Sequence, residues 1–166
     1  MVNNHFSKNV KMRFSVEVGD SSAIREIVSS TDFFNAEEIE VAVELVDERL
    51  KSGEASGYYF IFADVEKKTV GYSCYGPIPG TANSYDLYWI AVHADYRGTG
   101  LGSRLLKASE AAINEMGGQR IYVETSSRAQ YEPTRGFYLS RHYQLEATLV
   151  DFYAPGDSKL IFVKVI

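Results

Sequence analysis

The chain has 166 residues, of which 45% are hydrophobic and 23% are charged, and its formal net charge is −5. This size and composition predict one globular domain over residues 1–166, with residues 1–10 as a flexible extension, and they exclude a disordered chain. The negative charge argues against a nucleic-acid partner. Because no apolar run predicts a membrane span or a signal peptide, we expect a cytoplasmic protein with no membrane partner. The single cysteine, Cys74, excludes an internal disulfide, and with three scattered histidines we expect no metal site.

The first third of the chain predicts one strand followed by two helices. Residues 11–18 alternate apolar with polar side chains, which is typical of a half-buried strand. Residues 21–30 are expected to form a short helix. The motif Asn35-x-x-Glu38 is a capping box, and it predicts a second, amphipathic helix that runs to about Lys51.

The middle of the chain predicts a hairpin, a long strand and a long helix. Residues 58–64 and 69–75 are expected to form two strands joined by a polar turn. Pro and Gly in residues 76–80 indicate a loop, and residues 85–92 then form a long strand at the centre of the sheet. A helix with one apolar face is expected from Leu101 to the paired glycines 117–118.

The last third predicts a strand, a short helix and a closing hairpin. The expected elements are a strand over residues 120–125, a helix over 133–141 that begins at a proline, and strands over 144–151 and 160–166. Residues 154–157 carry Pro and Gly at the two central positions of a type II turn. This order of elements predicts an α/β fold with a mixed sheet.

A glycine-rich segment between the central strand and the long helix indicates an anion site. Its residues are Arg97, Gly98, Thr99, Gly100, Leu101, Gly102 and Ser103. Alternate glycines leave the backbone N–H groups accessible, and a helix N-terminus adds a positive partial charge that favours a phosphate. A P-loop is excluded because no Gly-Lys pair follows at the required spacing, and the dinucleotide fingerprint meets Ser103 where it needs a third glycine. The alternative is a tight turn that only caps the helix.

The pattern Arg97-x-x-Gly100-x-Gly102, between a strand and a helix, resembles the Arg/Gln-x-x-Gly-x-Gly/Ala signature of the GNAT superfamily of N-acetyltransferases. The resemblance covers essentially the whole chain. It implies the GNAT fold, a central, mostly antiparallel mixed sheet of about seven strands with four helices, in the order β-α-α-β-β-β-α-β-α-β-β. It also implies acetyl-CoA as co-substrate.

The resemblance further implies where the donor binds. The pyrophosphate of acetyl-CoA would lie on the backbone of residues 97–103, with Arg97 at the start of the loop. The pantetheine arm would bind the backbone of Ile90, Ala91 and Val92, at the end of the strand before the loop. For Arg97 an equally good interpretation is a surface arginine that pairs with an acidic neighbour.

An acceptor amine needs a base, because an amine with a pKa of about 10.4 costs roughly 4.6 kcal/mol to deprotonate at pH 7. Asp86 stands where several members of the family carry a glutamate base, although it is one methylene shorter. Glu124, on the next strand, is the rival candidate. For Asp86 the alternative is an aspartate at the end of the strand that is exposed to water or caps a loop, and for Glu124 it is a solvated strand residue.

The segment Phe137-Tyr138 resembles the family's Phe-Tyr-x-x-x-Gly-Phe motif, whose tyrosine donates a hydrogen bond to the departing thiolate. Tyr138 is therefore the predicted third catalytic residue; the alternative is an ordinary core tyrosine. His142 stands where the family has glycine, so we expect this helix to end without its preferred left-handed residue.

The sequence thus predicts an enzyme that moves an acetyl group directly from acetyl-CoA to an amine in a ternary complex. The acceptor is an amine of a small molecule, peptide or protein, and the negative net charge favours a cationic one. The alternatives are a non-catalytic acyl-CoA-binding regulatory module and a phosphate-loop protein for another nucleotide. The identity of the acceptor, the length of the acyl group and the oligomeric state, a homodimer included, stay open.

Overall fold

The computed structural model describes residues 9–166, so most of the predicted N-terminal extension (residues 1–10) lies outside the described residues. The chain divides into two compact units. The first comprises the chain up to Gly76 and Trp89–Ala112, and the second comprises Pro77–Tyr88 and Ile113–Ile166. None of the helices in the described part of the chain is long and apolar enough to cross a membrane.

Seven strands and four α-helices are present in the described residues, in the predicted order. The strands are β1 (Val10–Arg13), β2 (Tyr59–Val65), β3 (Lys68–Pro77), β4 (Ser84–Val92), β5 (Arg120–Ser126), β6 (Gln144–Ala154) and β7 (Asp157–Val165). The helices are α1 (Asp20–Ser30), α2 (Ala36–Ser52), α3 (Leu101–Glu115) and α4 (Glu132–Leu139). The sheet order is β1-β2-β3-β4-β5-β7-β6; β4 and β5 are parallel, whereas β1–β2, β2–β3, β5–β7 and β6–β7 are antiparallel.

Strand β1 is shorter than predicted: it ends at Arg13 and does not continue to Val18. The Arg13 guanidinium donates to both carboxylate oxygens of Asp20, at 2.9 and 2.8 Å, and to Asp64 at 2.8 Å. The backbone N–H of Glu17 also donates to Asp20, at 2.7 Å. These charge-assisted hydrogen bonds direct the chain away from the strand and towards the start of α1. Val18, which is apolar, is exposed as a result.

The core of the first unit lies between α1, α2 and one face of strands β2, β3 and β4. Asn35 and Glu38 form both halves of the predicted capping box, so α2 begins where the sequence indicates. The buried side chains of this core are Ile24, Ile27, Val28, Ala42, Val43, Val46, Phe60, Phe62, Tyr72, Cys74 and Ala91.

The loop predicted for residues 76–80 begins later, because β3 continues through Pro77. The N–H of Ile78 donates to the carbonyl of Ser84 at 2.9 Å, which closes the turn that leads into β4. A proline at the last position of a strand has no N–H to pair, so Pro77 is compatible with this end. The turn between β2 and β3 is tighter, and Glu66 and Lys67 both have positive φ angles there.

Helix α4 ends differently from the prediction, because His142 itself adopts the left-handed conformation, with φ at 70°. The N–H of Tyr143 donates to the carbonyl of Tyr138 at 3.2 Å, and that of His142 donates to Leu139 at 3.2 Å. The helix therefore closes as a glycine-terminated helix would, at the conformational cost of a side chain in this region.

Gly118, just after α3, is the most crowded glycine of the second unit. A Cβ atom there would lie 2.3 Å from Ile113 Cγ2 and 2.8 Å from Tyr85 Cδ2. We expect Gly118→Ala to reduce the free energy of unfolding by about 1–3 kcal/mol through overpacking.

The matched control is Gly136→Ala within α4, where a Cβ would meet no atom within 4 Å. Because alanine favours a helix by up to about 1 kcal/mol, the control should be neutral or stabilising. Urea unfolding of the three proteins measures both effects, and equal midpoints for the two variants would contradict the packing argument.

Candidate active site

The loop before α3 has the backbone that an anion site requires. Gly98 and Gly100 have φ angles of 72° and 84°, in the left-handed region that side chains disfavour. A Cβ at either glycine would meet no protein atom within 4 Å, so the space above the backbone is open. The Thr99 hydroxyl donates to the Tyr96 carbonyl at 2.6 Å and holds the turn.

Helix α3 begins at Leu101, directly after these glycines. Its first turn contains no acidic residue, so no carboxylate competes for the N–H groups at its N-terminus. Leu101 is buried and fixes the helix start, whereas Arg97 is exposed. The structure thus brings the predicted residues 97–103 together as one continuous loop and helix start.

The end of β4 is held against β3. The N–H of His93 donates to the carbonyl of Val70 at 2.8 Å, and Ala91 is buried. Gly71 allows this close approach, because a Cβ there would lie 3.2 Å from the Ala91 carbonyl oxygen. The ladder between β4 and β5 covers three residue pairs and ends at Asp86, while β4 itself continues to Val92. The role predicted for Ile90, Ala91 and Val92 stays a prediction.

In the second unit, the two predicted carboxylates share one face of the sheet. Asp86 is the register partner of Tyr122 on β5, and Glu124 lies two residues further along β5. Because side chains two apart on a strand point to the same face, Asp86 and Glu124 are directed to the same side. Burial and, to a smaller extent, the Glu124 charge raise the pKa of Asp86, the Lys159 charge lowers it, and the net pKa is about 6. A carboxylate with this pKa changes protonation close to neutral pH.

Lys159 on β7 is a member of this group that the sequence analysis missed. Its ammonium nitrogen lies 2.7 Å from Glu124 Oε2 and 3.9 Å from the ring centroid of Phe152. The Lys159 side chain is only 15% exposed, whereas Glu124 is 49% exposed. Lys159 is 35 residues from Glu124 in the sequence, and no local motif links the two residues. Their proximity becomes evident only from the pairing of β5 with β7.

Tyr138 lies at the C-terminal end of α4 and is 5% exposed. Its ring centroid is 5.3 Å from those of Phe137 and Tyr143. Burial raises the pKa of Tyr138, so its hydroxyl stays protonated at neutral pH. Within residues 9–166 this hydroxyl has no hydrogen-bond partner.

The start of α4 is fixed to the end of β5. Arg135 donates to the carbonyls of Ser126 and Arg128 at 3.0 and 2.9 Å. Ser126 also bonds the buried Asp157, which lies 3.1 Å from the Arg128 guanidinium. This network connects the helix that carries Tyr138 to the strand that carries Glu124.

Two other chemically notable residues have structural explanations. Cys74 is buried and burial raises its pKa well above the usual value, so it is not a poised nucleophile. His93 accepts a hydrogen bond from the N–H of Asp95 and so caps a short turn. In the described residues no cluster of three or more His, Cys, Asp or Glu side chains could hold a metal ion.

The raised pKa of Asp86 predicts how stability depends on pH. The folded state holds the Asp86 proton more tightly than the unfolded chain, whose aspartates titrate near pH 3.9. The contribution of Asp86 to the free energy of unfolding therefore falls as the pH rises from about 4 to about 6. Asp86→Asn removes the charge. With the half-exposed position discounted for solvent screening, we expect a gain of about 1 kcal/mol at pH 7.5 that disappears below about pH 4.

Thermal or urea unfolding at several pH values measures this effect. Asp95, whose side chain is 82% exposed, provides the matched control Asp95→Asn, which should show no such gain. A pH-independent difference between the Asp86→Asn variant and the parent protein would refute the argument.

Comparison with known proteins places this geometry in a family. The sequence pattern of the acetyltransferase (GNAT) family matches residues 22–143. A comparison with curated proteins finds no significant match. Among solved structures, a GNAT-family protein from Desulfovibrio desulfuricans is 44% identical, with a TM-score of 0.93 over 94% of this chain and 98% of that chain.

Two more distant structures share the fold. The PaiA N-acetyltransferase from Thermoplasma acidophilum, solved with coenzyme A, is 19% identical, with a TM-score of 0.71 over 95% of this chain and 99% of that chain. The ribosomal-protein-S18-alanine N-acetyltransferase from Escherichia coli is 19% identical, with a TM-score of 0.73 over 95% of this chain and 94% of that chain. The predicted GNAT fold is confirmed by these similarities, and the family match over most of the chain shows that the protein belongs to the acetyltransferase (GNAT) family.

Proposed function

We propose that this protein transfers an acetyl group from acetyl-CoA directly to an amine, without a covalent enzyme intermediate. The observation that carries the proposal is the half-buried Asp86 carboxyl, whose pKa of about 6 suits a base at neutral pH, in a chain of the GNAT family. About nine-tenths of such a group is ionised at pH 7 and able to accept a proton.

In the proposed reaction, the neutral amine nitrogen attacks the thioester carbonyl carbon and the C–S bond breaks. The amine proton passes to the Asp86 carboxylate, and the sulfur leaves as a thiolate. Tyr138 donates a hydrogen bond to this thiolate. Because tyrosine, with a pKa of about 10, is a weaker acid than a thiol at about 8.5, the hydrogen bond stabilises the leaving group and full proton transfer is not required.

The donor site is proposed at the loop of residues 97–103. Open space above Gly98 and Gly100 and the acid-free N-terminus of α3 fit a pyrophosphate. The structurally similar PaiA N-acetyltransferase was solved with coenzyme A, which supports the same co-substrate here. Contacts of the pantetheine arm with the backbone of Ile90, Ala91 and Val92 belong to the same proposal.

The acceptor is proposed to be a primary amine, and the net charge of −5 favours a cationic one. The test is incubation of the purified protein with acetyl-CoA and a panel of amines that includes polyamines, amino acids, aminoglycosides and peptide N-termini. Thiol release and product mass are measured together. Release of CoA with a mass gain of one acetyl group on an amine supports the proposal, whereas CoA binding without turnover on any amine supports a regulatory acyl-CoA-binding module.

Removal of the Tyr138 hydroxyl separates catalysis from binding. We expect Tyr138→Phe to lower kcat by about 10–100-fold, because a hydrogen bond to the leaving thiolate is lost, while the Kd for CoA changes little. Tyr143→Phe, at the adjacent buried ring, is the control and should retain turnover. Comparable kcat values for the two variants would remove Tyr138 from the mechanism.

The backbone of the loop is tested by Gly100→Ala. A methyl group at this left-handed position strains the loop and occupies the open space, so we expect CoA affinity to fall by about tenfold, measured by calorimetry. Gly57→Ala is the matched control, because Gly57 has a φ of 75° and similar open space outside the loop. The control should lose similar stability and keep its affinity; equal affinities in both variants would count against the loop as the donor site.

A further inference from the structure

We propose that Lys159 is a positioning residue that holds Glu124 in an ion pair and thereby leaves Asp86 as the carboxylate that accepts the amine proton. The inference rests on the proposed function and assigns different roles to the two candidate bases. It stands on the geometry of three strands of the second unit.

Strand register directs Lys159 and Glu124 to the same face. Ser126 on β5 is the register partner of Lys159 on β7, and Glu124 lies two residues before Ser126. Side chains two apart on a strand share a face, so Lys159 and Glu124 are diagonal neighbours. Their charged atoms meet at 2.7 Å.

The Lys159 ammonium is held more firmly than in an ordinary surface pair. It lies 3.9 Å from the ring centroid of Phe152 and 5.8 Å from that of Tyr153, and its side chain is largely buried. The two rings contact each other edge to face, with centroids 5.1 Å apart. A cation between a carboxylate and an aromatic face is attracted electrostatically to both, and burial reduces the screening of these attractions by solvent.

Glu124 and Asp86 therefore differ in their partners. The Glu124 carboxylate is already engaged in an ion pair with the Lys159 ammonium, 2.7 Å away. Within residues 9–166 the Asp86 side chain has no hydrogen bond or ion pair, and its oxygens are available to an incoming amine.

Lys159 also affects Asp86 at longer range. Glu124 repels the ionised form of Asp86, and the positive charge of Lys159 offsets this repulsion. On the face of Asp86, strand alternation also places Tyr88 on β4, Arg120 and Tyr122 on β5, and Asp157 on β7. Asp157 is engaged with Ser126 and Arg128, and the charges that act on Asp86 are those of Glu124 and Lys159.

The test is Lys159→Met, followed by NMR titration of the Asp86 carboxyl carbon, which requires no substrate. We expect the Asp86 titration midpoint to rise by about one pH unit when the positive charge is removed. Glu124→Gln should lower it, and the double variant should lie between the two single variants. Lys159→Arg, which keeps the charge, should titrate as the parent protein does.

Lys164→Met is the matched control, because Lys164 lies five residues along the same strand and faces the opposite side of the sheet. It removes the same charge and should leave the Asp86 titration unchanged. Should the methionine variant fail to fold, Lys159→Gln provides the same test. An unchanged midpoint in the folded Lys159 variant, or an equal shift in the Lys164 control, overturns the inference.

With an accepted amine, the acid limb of the kcat/KM profile should move with the NMR midpoint. In the Lys159→Met variant we expect a loss of about fivefold near pH 6 and little loss near pH 8, which a general structural defect would not produce. Absence of turnover on every amine contradicts the proposed function but leaves the titration result standing, so the two failures are distinguishable.

Discussion

The antiparallel ladder between β5 and β7 is the constraint on which the second unit depends. Its seven pairs run from Arg120 opposite Val165 to Ser126 opposite Lys159. A shift of one residue would turn Lys159 away from Glu124 and direct it to the other face of the sheet. The buried hydrogen bond between Ser126 and Asp157 lies at the end of this ladder. It helps to fix the register beside the pair of Ser126 and Lys159.

In the second unit, the burial of Asp86 has opposite effects on the stability of the fold and on the proposed proton transfer. Burial of Asp86 makes its charge unfavourable in the folded protein, and that cost is what places its pKa near neutrality. The positive charge of Lys159 limits the cost without forming a direct bond to Asp86. A stronger partner for Asp86 would stabilise the fold and lower the basicity on which the proposed proton transfer depends.

Local signals made most elements predictable from the sequence. The capping box at Asn35 and Glu38 and the glycine-rich loop act through neighbours within a few residues, so their positions were predicted correctly. Errors occurred where distant residues decide: Arg13 ends β1 through Asp20 and Asp64. Lys159 was missed for the same reason, because its meaning depends on a register between strands far apart in sequence. The burial that makes Asp86 a candidate base likewise depends on packing, which periodicity does not reveal.

Helix α3 has glycines before and after it, and their surroundings differ. Gly98 and Gly100 have empty space above them, whereas Gly118 is enclosed by Ile113 and Tyr85. The first two keep the backbone accessible, and the third lets two side chains close over it. A side chain before the helix would therefore meet backbone strain without a clash, whereas a side chain after it would collide with residues already in place.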